Sequence, residues 1–185
     1  MDALTALQQR VSSAILEAPA PSDAQLGEMF KAALRAPDHG ALTPWRFLTI
    51  AGEARQKFSD GLHAIREAEG ATERDLKKLK TIGLRAPLII VAIASLKDSD
   101  KIPDVEQDWS AVAATQNLIL AAEAQGLGAI WRTGWPAFHA EVNALLGLSA
   151  DEKIVGFVYL GQRPAERRPI TPLAIADYVS TWPTS

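Results

Sequence analysis

The stretch that most constrains the fold is Ala86-Pro-Leu-Ile-Ile-Val-Ala-Ile-Ala94, an apolar run with many β-branched side chains. Because its only proline stands near the start, the run predicts a buried central strand. Lys153–Gly161 predicts a second buried strand. Helical patterns separate the predicted strands, so we expect a layered α/β or α+β domain with helices on both faces of the sheet. The order along the chain does not fix which strands are parallel.

Apolar spacing predicts five or six helices and about four strands. The predicted helices are residues 2–17, the segment that Ser22 caps and that ends before Pro37, residues 53–69, Trp109–Gln125 between its cap Asp108 and Gly126, and Ala140–Leu146. Two further strands are predicted at Phe47–Ala51 and Gly126–Gly134. The charged segment Gly70–Lys80 is either a solvated helix or a mobile excursion. The tail Ile170–Ser185 is weakly patterned, so we expect it to bury little against its own chain and to dock on a partner subunit.

Length and charge narrow the class of protein. We expect one domain over residues 1–185, which is long enough for a sizeable core. The formal net charge of −3 argues against a nucleic-acid partner, which would need a basic face. The N-terminus lacks a signal-peptide pattern, and the longest apolar run, Ala86–Leu96, is about half of the roughly 20 residues that a membrane helix needs. Since the chain also has no cysteine, we expect a soluble cytoplasmic protein with no membrane partner.

The loop Arg35–Phe47, between the helical first third and the first strand, has the composition of a binding loop. Its two prolines each remove a backbone donor and disfavour helix in the preceding residue, so the segment is irregular. It carries three cations or potential cations, Arg35, His39 and Arg46. Loops that a rigid scaffold holds often carry binding groups. Taken singly, Arg35 could instead neutralise a helix dipole, and His39 could be an ordinary loop histidine.

Two other stretches share this cationic character. Arg10-Val-Ser-Ser13 suits a phosphate, because arginine forks to two oxygens and serine adds a neutral donor. A surface arginine with a local serine hydrogen bond would also explain it. Trp131-Arg132-Thr133-Gly134 stands at the end of a predicted strand, a common ligand position in α/β sheets.

The sequence lacks the characteristic residue patterns of several classes of enzyme. The histidines His39, His63 and His139 have no paired metal-ligand spacing, so we predict no metal site. No P-loop and no Gly-x-Ser-x-Gly elbow occurs, and Gly126-Leu-Gly128 precedes a strand, whereas a dinucleotide fingerprint opens a helix. No side chain is predicted to act as a catalytic acid, base or nucleophile. The remaining hypothesis is a bound prosthetic group that carries the chemistry.

Six motifs follow one another between residue 1 and about residue 164, and their order matches that of one known family. They are Arg10 with Ser12, Arg35-Ala-Pro-Asp-His39, Pro44-Trp-Arg-Phe47, Arg85-Ala-Pro-Leu-Ile-Ile90, Gly126-Leu-Gly-Ala-Ile-Trp-Arg132 and Ile154-Val-Gly-Phe-Val-Tyr-Leu-Gly161. Together they resemble the nitroreductase family of FMN enzymes, and most closely its short, YdjA-like branch of NAD(P)H nitroreductases.

The resemblance implies an α+β fold, a three-layer sandwich with a mixed central sheet flanked by helices, in an intertwined homodimer that binds FMN at the subunit interface. Arg10, Val11 and Ser12 would hold the phosphate and ribityl end of FMN, and Trp131, Arg132 and Thr133 would line the flavin. Arg35 and His39 would reach it from the other subunit. NADH or NADPH would use Ala121, Ala122, Glu123, Ala124, Gln125 and Gly126.

The implied activity is an FMN-dependent oxidoreductase that takes hydride from NAD(P)H and reduces a nitroaromatic, quinone or related small-molecule acceptor by a ping-pong mechanism. The family usually has Arg-Arg-Ser-x-Arg near its start, whereas this chain has Val11 and lacks the last arginine near Ala14. Arg167 or Arg168, in the turn after the last strand, could compensate for these losses. Two alternatives stay open: an FMN-binding or carrier protein with little turnover, and a structural dimer without flavin.

Overall fold

A four-stranded antiparallel sheet in the order β1-β2-β4-β3 forms the middle layer of the computed structural model, which describes residues 1–182. The strands are β1 Trp45–Ala51, β2 Leu88–Ser95, β3 Gly128–Arg132 and β4 Glu152–Gly161. The resemblance implied a mixed sheet, and this detail is wrong for the described residues, in which every strand pair is antiparallel. Ala51 at the end of β1 pairs with Leu88 at the start of β2. The segment that connects these two strands therefore begins and ends at the same end of the sheet. Ser95 at the end of β2 likewise pairs with Glu152 at the start of β4.

Six α-helices surround the sheet in the described part of the chain. They are α1 Ala3–Gln9, α2 Asp23–Ala33, α3 Ala54–Ala68, α4 Glu73–Leu79, α5 Asp104–Ala124 and α6 Ala140–Leu145. The predicted cap Ser22 is confirmed, because its hydroxyl accepts from the Gln25 amide and the Gln25 side chain accepts from the Ser22 amide. Of the two alternatives for Gly70–Lys80, the helix is correct: α4 forms there and buries Leu79.

The alternation of side chains along β2 divides the core into two layers, which confirms the predicted buried central strand. Leu88 and Ile90 face a cluster that includes residues of α2 and α5. Ile89 and Val91 face the opposite cluster, which includes residues of α3 and α6. The predicted three-layer α+β arrangement, with helices on both faces of the sheet, is therefore correct.

The first helix is shorter than predicted, since α1 ends at Gln9 and the chain turns extended at Arg10. The Ser13 amide donates to the Ala129 carbonyl of β3 at 3.0 Å. Glu17 and Gln162 exchange two backbone hydrogen bonds of 2.9 and 2.8 Å. Residues 10–17 thus cover the open edge of the sheet, and pairing with backbone groups of that edge replaces the helix that the apolar spacing predicted.

The long helix α5 begins at Asp104, five residues before the predicted start, with Pro103 as its N-cap residue. Asp104 and Glu106 lie in its first turn, where acidic side chains interact favourably with the helix dipole. Asp108 does not cap the helix but forms an ion pair with Lys153 at 3.0 Å. The helix stops before Gly126, as predicted. Its first half leaves a stripe of apolar side chains exposed, namely Val105, Trp109 and Val112.

The tail buries little against its own chain, as expected. Leu173, Ile175 and Trp182 are 68%, 76% and 89% exposed. The predicted docking of Ile170–Ser185 on a partner stays a prediction, and residues 183–185 lie outside the described part of the chain. None of the helices in residues 1–182 combines the length and the hydropathy that crossing a bilayer requires.

The loop cation Arg46 has a structural partner. Its guanidinium binds both carboxylate oxygens of Glu152, at 2.5 and 2.7 Å, and the Ser149 amide donates to the same carboxylate. These contacts, chiefly the hydrogen bond from Arg46, lower the pKa of the Glu152 carboxyl to about 2. The pair ties the start of β4 to β1 across the intervening strand.

We expect Glu152→Gln to lower the free energy of unfolding at pH 7 by on the order of 3 kcal/mol, because the pKa depression favours the folded state only while the carboxylate is charged. The charged Glu152 carboxylate contributes its full stabilisation at pH values above the ordinary pKa of glutamate. This contribution disappears as the pH falls towards the folded-state pKa of about 2. Urea unfolding of the parent and of Glu152→Gln, from pH 7 to pH 3, measures the difference between their free energies of unfolding. This difference should become smaller below about pH 4.5. Glu28→Gln, at an exposed helix pair, is the control. A gap that stays constant with pH would contradict the assignment.

Candidate functional site

The edge of the sheet formed by β3 organises the candidate site. Residues 10–17 lie along it, and the loop Thr133-Gly134 follows its end. Gly128 allows this close approach, since a Cβ there would come within 2.7 Å of the Leu16 side chain and 3.2 Å of the Ser13 hydroxyl. One cavity opens beside residues 11–15, and a second opens beyond Arg132.

The first cavity, called here the anion cavity, lies between residues 11–15 and the turn that follows β4. Its polar lining consists of Ser12, Ser13, Arg163, Glu166, Arg167 and Arg168. Arg10 is the residue before this lining, and its side chain forms no ion pair within residues 1–182. Two hydroxyls beside a cluster of guanidinium groups suit a phosphate or another oxyanion.

A buried carboxylate orders two of these arginines. Glu123 on α5 is only 3% exposed, and its Oε1 accepts from Arg163 at 2.8 Å and from Arg167 at 2.5 Å. Arg167 also donates to the Gln9 carbonyl at 2.6 Å. The three arginines outnumber the two carboxylates, Glu123 and Glu166, so the cavity keeps a formal excess of positive charge.

The second cavity, called here the aromatic cavity, has a volume of about 370 Å³. It is lined by Phe58, Leu62, Ile82, Arg85, Arg132, Thr133, Gly134, Trp135, Pro136, Phe157 and Tyr159. The Nε of Arg132 is buried and has no hydrogen-bond partner in the described part of the chain. The Arg132 guanidinium lies 5.8 Å from the centre of the Tyr159 ring. An unsatisfied buried donor beside aromatic walls indicates a site for a planar ligand with acceptor atoms.

The predicted stretch Trp131–Thr133 is divided between the two faces of the sheet. Arg132 and Thr133 line the aromatic cavity, but Trp131 packs on the opposite face and donates from Nε1 to the Val155 carbonyl at 3.3 Å. Its ring occupies the space above Gly156, where an added Cβ would lie 2.0 Å from Nε1. The Trp131 side chain therefore belongs to the packing of β3 on β4, and its expected flavin contact stays a prediction.

Arg35 and His39 lie elsewhere in the chain. His39 Nδ1 is 2.7 Å from Glu106 Oε2 on α5, and it lines a separate shallow cavity with Trp109. Arg35 is exposed and forms no ion pair within residues 1–182. One chain does not bring these residues to the β3 edge, which is compatible with the expectation that they reach a partner's flavin. That role stays a prediction.

The segment that the resemblance assigns to the nicotinamide dinucleotide is the end of α5 and its C-terminal turn. Ala122 and Glu123 are buried, Ala121 and Gln125 are partly buried, and Ala124 and Gly126 are exposed. The Gln125 side chain donates to the Gln25 carbonyl of α2 at 3.2 Å. The buried members of the segment thus serve contacts within the chain, and its role in dinucleotide binding stays a prediction.

Three residues at the candidate site had no role in the sequence analysis. Arg85 stands just before β2, Tyr159 lies within β4, and Arg163 follows β4. Arg85 and Tyr159 fell inside motifs that carried the resemblance, and Arg163 precedes the two arginines already proposed to compensate. The sequence signal that could have identified Arg85 and Arg163 is an arginine close to one end of a predicted buried strand.

The fold and the two cavities define an α+β protein that can bind a planar ligand with an anionic tail along one sheet edge. The model of the Nitroreductase family matches residues 7–162. The chain therefore belongs to the nitroreductase family, as the resemblance implied, and is an oxidoreductase.

Relatives of known sequence cover most of the chain. The Escherichia coli (strain K12) protein "Putative NAD(P)H nitroreductase YdjA" is 41% identical over 161 residues, covering 87% of this chain and 88% of the relative. A Haemophilus influenzae relative is 36% identical with the same coverage of both chains. Among solved structures, a nitroreductase-like family protein from Bacillus cereus has a TM-score of 0.84 at 23% identity and covers 100% and 97% of the two chains. A Desulfovibrio desulfuricans nitroreductase homologue solved with FMN has a TM-score of 0.75 at 25% identity and covers 100% and 99%.

We expect neighbouring residues of β3 to respond oppositely to substitution in the flavin-free protein. Trp131→Ala removes a packed ring and should lower the free energy of unfolding by roughly 2 kcal/mol or more. Arg132→Met removes a buried unpaired donor at similar volume and should leave stability within about 1 kcal/mol of the parent, or raise it. Urea unfolding measures both. A larger loss in Arg132→Met than in Trp131→Ala would show that the Arg132 side chain has a structural partner.

Proposed function

We propose that the chain is an FMN-dependent oxidoreductase that takes hydride from NAD(P)H and reduces nitroaromatic, quinone or related acceptors. Family membership and the names of the relatives support this proposal. The observation that carries it is the pair of cavities at the two ends of β3. Ser13 contacts Ala129, and Arg132 lies three residues further on, about 10 Å along the strand. This separation suits a phosphate at one end and an isoalloxazine ring at the other.

The anion cavity fits the phosphate of FMN. Ser12 and Ser13 offer hydroxyl donors, and Arg167 keeps donors free after binding Glu123 and Gln9. Arg168 is exposed and forms no ion pair within the described residues. These arginines replace, in function, the cations missing from the first motif at Val11 and near Ala14.

The aromatic cavity fits the flavin ring end. Bound FMN would supply two-electron transfer between NAD(P)H and the acceptor, in the two half-reactions of a ping-pong sequence. Arg132 would donate from its buried Nε to an acceptor atom of the ligand and stabilise negative charge beside it. No side chain is required as an acid or base, because water can supply the proton.

The dinucleotide and the partner subunit complete the proposal. Because Ala122 and Glu123 are buried, we place the nicotinamide over the flavin and not at the end of α5. We propose a homodimer in which Arg35 and His39 of one chain face the flavin of the other. The exposed stripe on α5 and the exposed apolar tail supply surface for such an interface.

A second candidate function is an FMN-binding protein with little turnover. It is favoured by the loss of arginines from the first motif, which removes charge-assisted contacts of roughly 1.5–3 kcal/mol each. It shares the cofactor and differs in predicting no oxidation of NAD(P)H with any acceptor.

The visible spectrum of the purified protein tests the function directly. We expect yellow protein, bleaching by NADH or NADPH under argon, and return of the colour on adding a nitroaromatic or a quinone. Bleaching without acceptor turnover would favour the carrier. Colourless protein that FMN cannot reconstitute would exclude both and favour a structural dimer without flavin.

The arginines of the anion cavity should distinguish FMN from riboflavin, which lacks the phosphate. We expect Arg167→Ala and Arg168→Ala each to weaken FMN binding on the order of tenfold and to leave riboflavin binding unchanged. Quenching of flavin fluorescence gives both affinities. Arg74→Ala, on the exposed helix α4, is the matched control. Equal losses for the two flavins, or none, would remove these arginines from the phosphate site.

A further inference from the structure

The turn Trp135–Phe138 forms part of the wall of the aromatic cavity, since Trp135 and Pro136 both line it. Gly134, which precedes the turn, has φ 82° and ψ −166°, a conformation that is essentially restricted to glycine. A glycine has no side chain that could hold the turn against its neighbours. The position of the Trp135 ring therefore depends on contacts made by the ring itself and by the residues that follow it.

Two side chains contact the indole of Trp135. The Arg66 guanidinium lies 5.2 Å from the ring centre, which is a cation–π distance. The imidazole of His139 lies 5.4 Å away between ring centres, at an interplanar angle of 89°. Since Trp135 is only partly buried, these two neighbours orient a ring that the core alone does not enclose.

Glu69 joins the two neighbours into one set of contacts, called here the Glu69 network and consisting of Arg66, Glu69 and His139. Glu69 is the C-cap residue of α3, and its carboxylate accepts from the Arg66 guanidinium and, at 2.6 Å, from His139 Nε2. These two hydrogen bonds, chiefly the one from His139, lower the pKa of the Glu69 carboxyl, so this group is charged at neutral pH. The network connects the end of α3 to the turn.

The α3 end of this connection is fixed, because the helix is anchored in the core. Phe58 and Leu62 of α3 are buried, and both also line the aromatic cavity. The Glu69 network therefore ties the Trp135 wall of the cavity to the α3 wall. A planar ligand that enters such a cavity meets walls that are ordered before it binds, which lowers the entropic cost of binding.

We propose that Trp135 contacts the flavin ring and that the Glu69 network is a set of positioning residues, which hold Trp135 in place for the cofactor. This assignment rests on the proposed function, since the planar ligand of the aromatic cavity is there identified as the flavin. The network acts on the ring end of FMN, whereas the arginines of the anion cavity act on the phosphate end.

The two ring nitrogens of His139 have different partners, so the network can be separated from the local fold. The Glu141 amide donates to Nδ1 at 3.3 Å and so caps α6. The charged Glu69 carboxylate can only accept, so Nε2 carries the proton of that hydrogen bond. His139→Asn keeps an N-cap side chain for α6 but is too short to reach Glu69. His139→Gln is long enough to present an amide donor to Glu69.

We expect His139→Asn to weaken the binding of FMN and of riboflavin by the same factor, about fivefold. The factor is modest because the side chains of the network are 24–36% exposed, and solvent weakens such contacts. Quenching of flavin fluorescence gives both affinities. Glu69→Gln should weaken both in the same direction, whereas His139→Gln should retain most of the affinity. Glu67→Gln, at a carboxylate on the same helix outside the network, is the matched control and should change neither affinity.

The flavin-free protein gives a second measurement. The Trp135 emission is obtained in each variant by subtracting the fluorescence spectrum of the same protein carrying Trp135→Phe. We expect this emission to move to longer wavelength in His139→Asn, because an indole released from its neighbours gains contact with water, and to stay in place in His139→Gln. The urea midpoint of His139→Asn should stay close to that of the parent, since the α6 cap is retained.

Unchanged binding of both flavins in His139→Asn, or an unchanged Trp135 emission, would overturn the proposal. Equal losses in His139→Asn and His139→Gln would do the same, because the contact with Glu69 would then make no difference. A loss confined to FMN would also contradict it, since the network would then act on the phosphate end. Failure of the proposed function is a different result: the parent would bind neither flavin, although the Trp135 emission would still report the network.

Discussion

The candidate site depends on one backbone interaction, the pairing of residues 10–17 with the open edge of the sheet. The Ser13–Ala129 hydrogen bond and the two-bond bridge between Glu17 and Gln162 hold this segment in place. Because Gln162 directly follows β4, the same bridge fixes the start of the turn that carries the arginines of the anion cavity. A helix through residue 17, as the apolar spacing predicted, would leave both the sheet edge and this cavity without one wall.

Five arginines of the chain fall into three groups by their partners, and the groups differ in role. Arg46 is matched by a single carboxylate in bidentate geometry and stabilises the fold. Arg163 and Arg167 share one buried carboxylate, so they are held in place and still carry excess charge. Arg85 and Arg132 have no carboxylate partner in residues 1–182, although both line a cavity. A partly buried cation without a charged partner is energetically unfavourable, so unpaired arginines that line a cavity indicate a site where a ligand supplies the partner. A fully paired arginine such as Arg46 gives no such indication.

The sequence predicted the parts of this structure that local patterns determine. The apolar run of β2, the Ser22 cap and the end of α5 depend on neighbouring residues, and all three are correct. The end of α1 was wrong because a distant sheet edge competes for the backbone of residues 10–17, and no local pattern reports that edge. Strand direction and the pairing of Glu123 with two arginines about 40 residues away are likewise products of tertiary contacts. The loop cations show the same limit, since composition could not separate Arg46, which binds Glu152, from Arg35, which is free of ion pairs in the described chain.

The distribution of site residues over one chain bears on the proposed homodimer. His39 is bound to Glu106 on α5, the helix whose first half also exposes Val105, Trp109 and Val112. The anion and aromatic cavities instead follow the β3 edge. A two-fold symmetric pair that buried the α5 stripe would carry His39 of each chain into the interface, where an isologous contact presents the same groups to both partners. Burial of apolar surface and completion of the flavin site would then be a single event, so that the protein would gain its cofactor-binding surface only by associating.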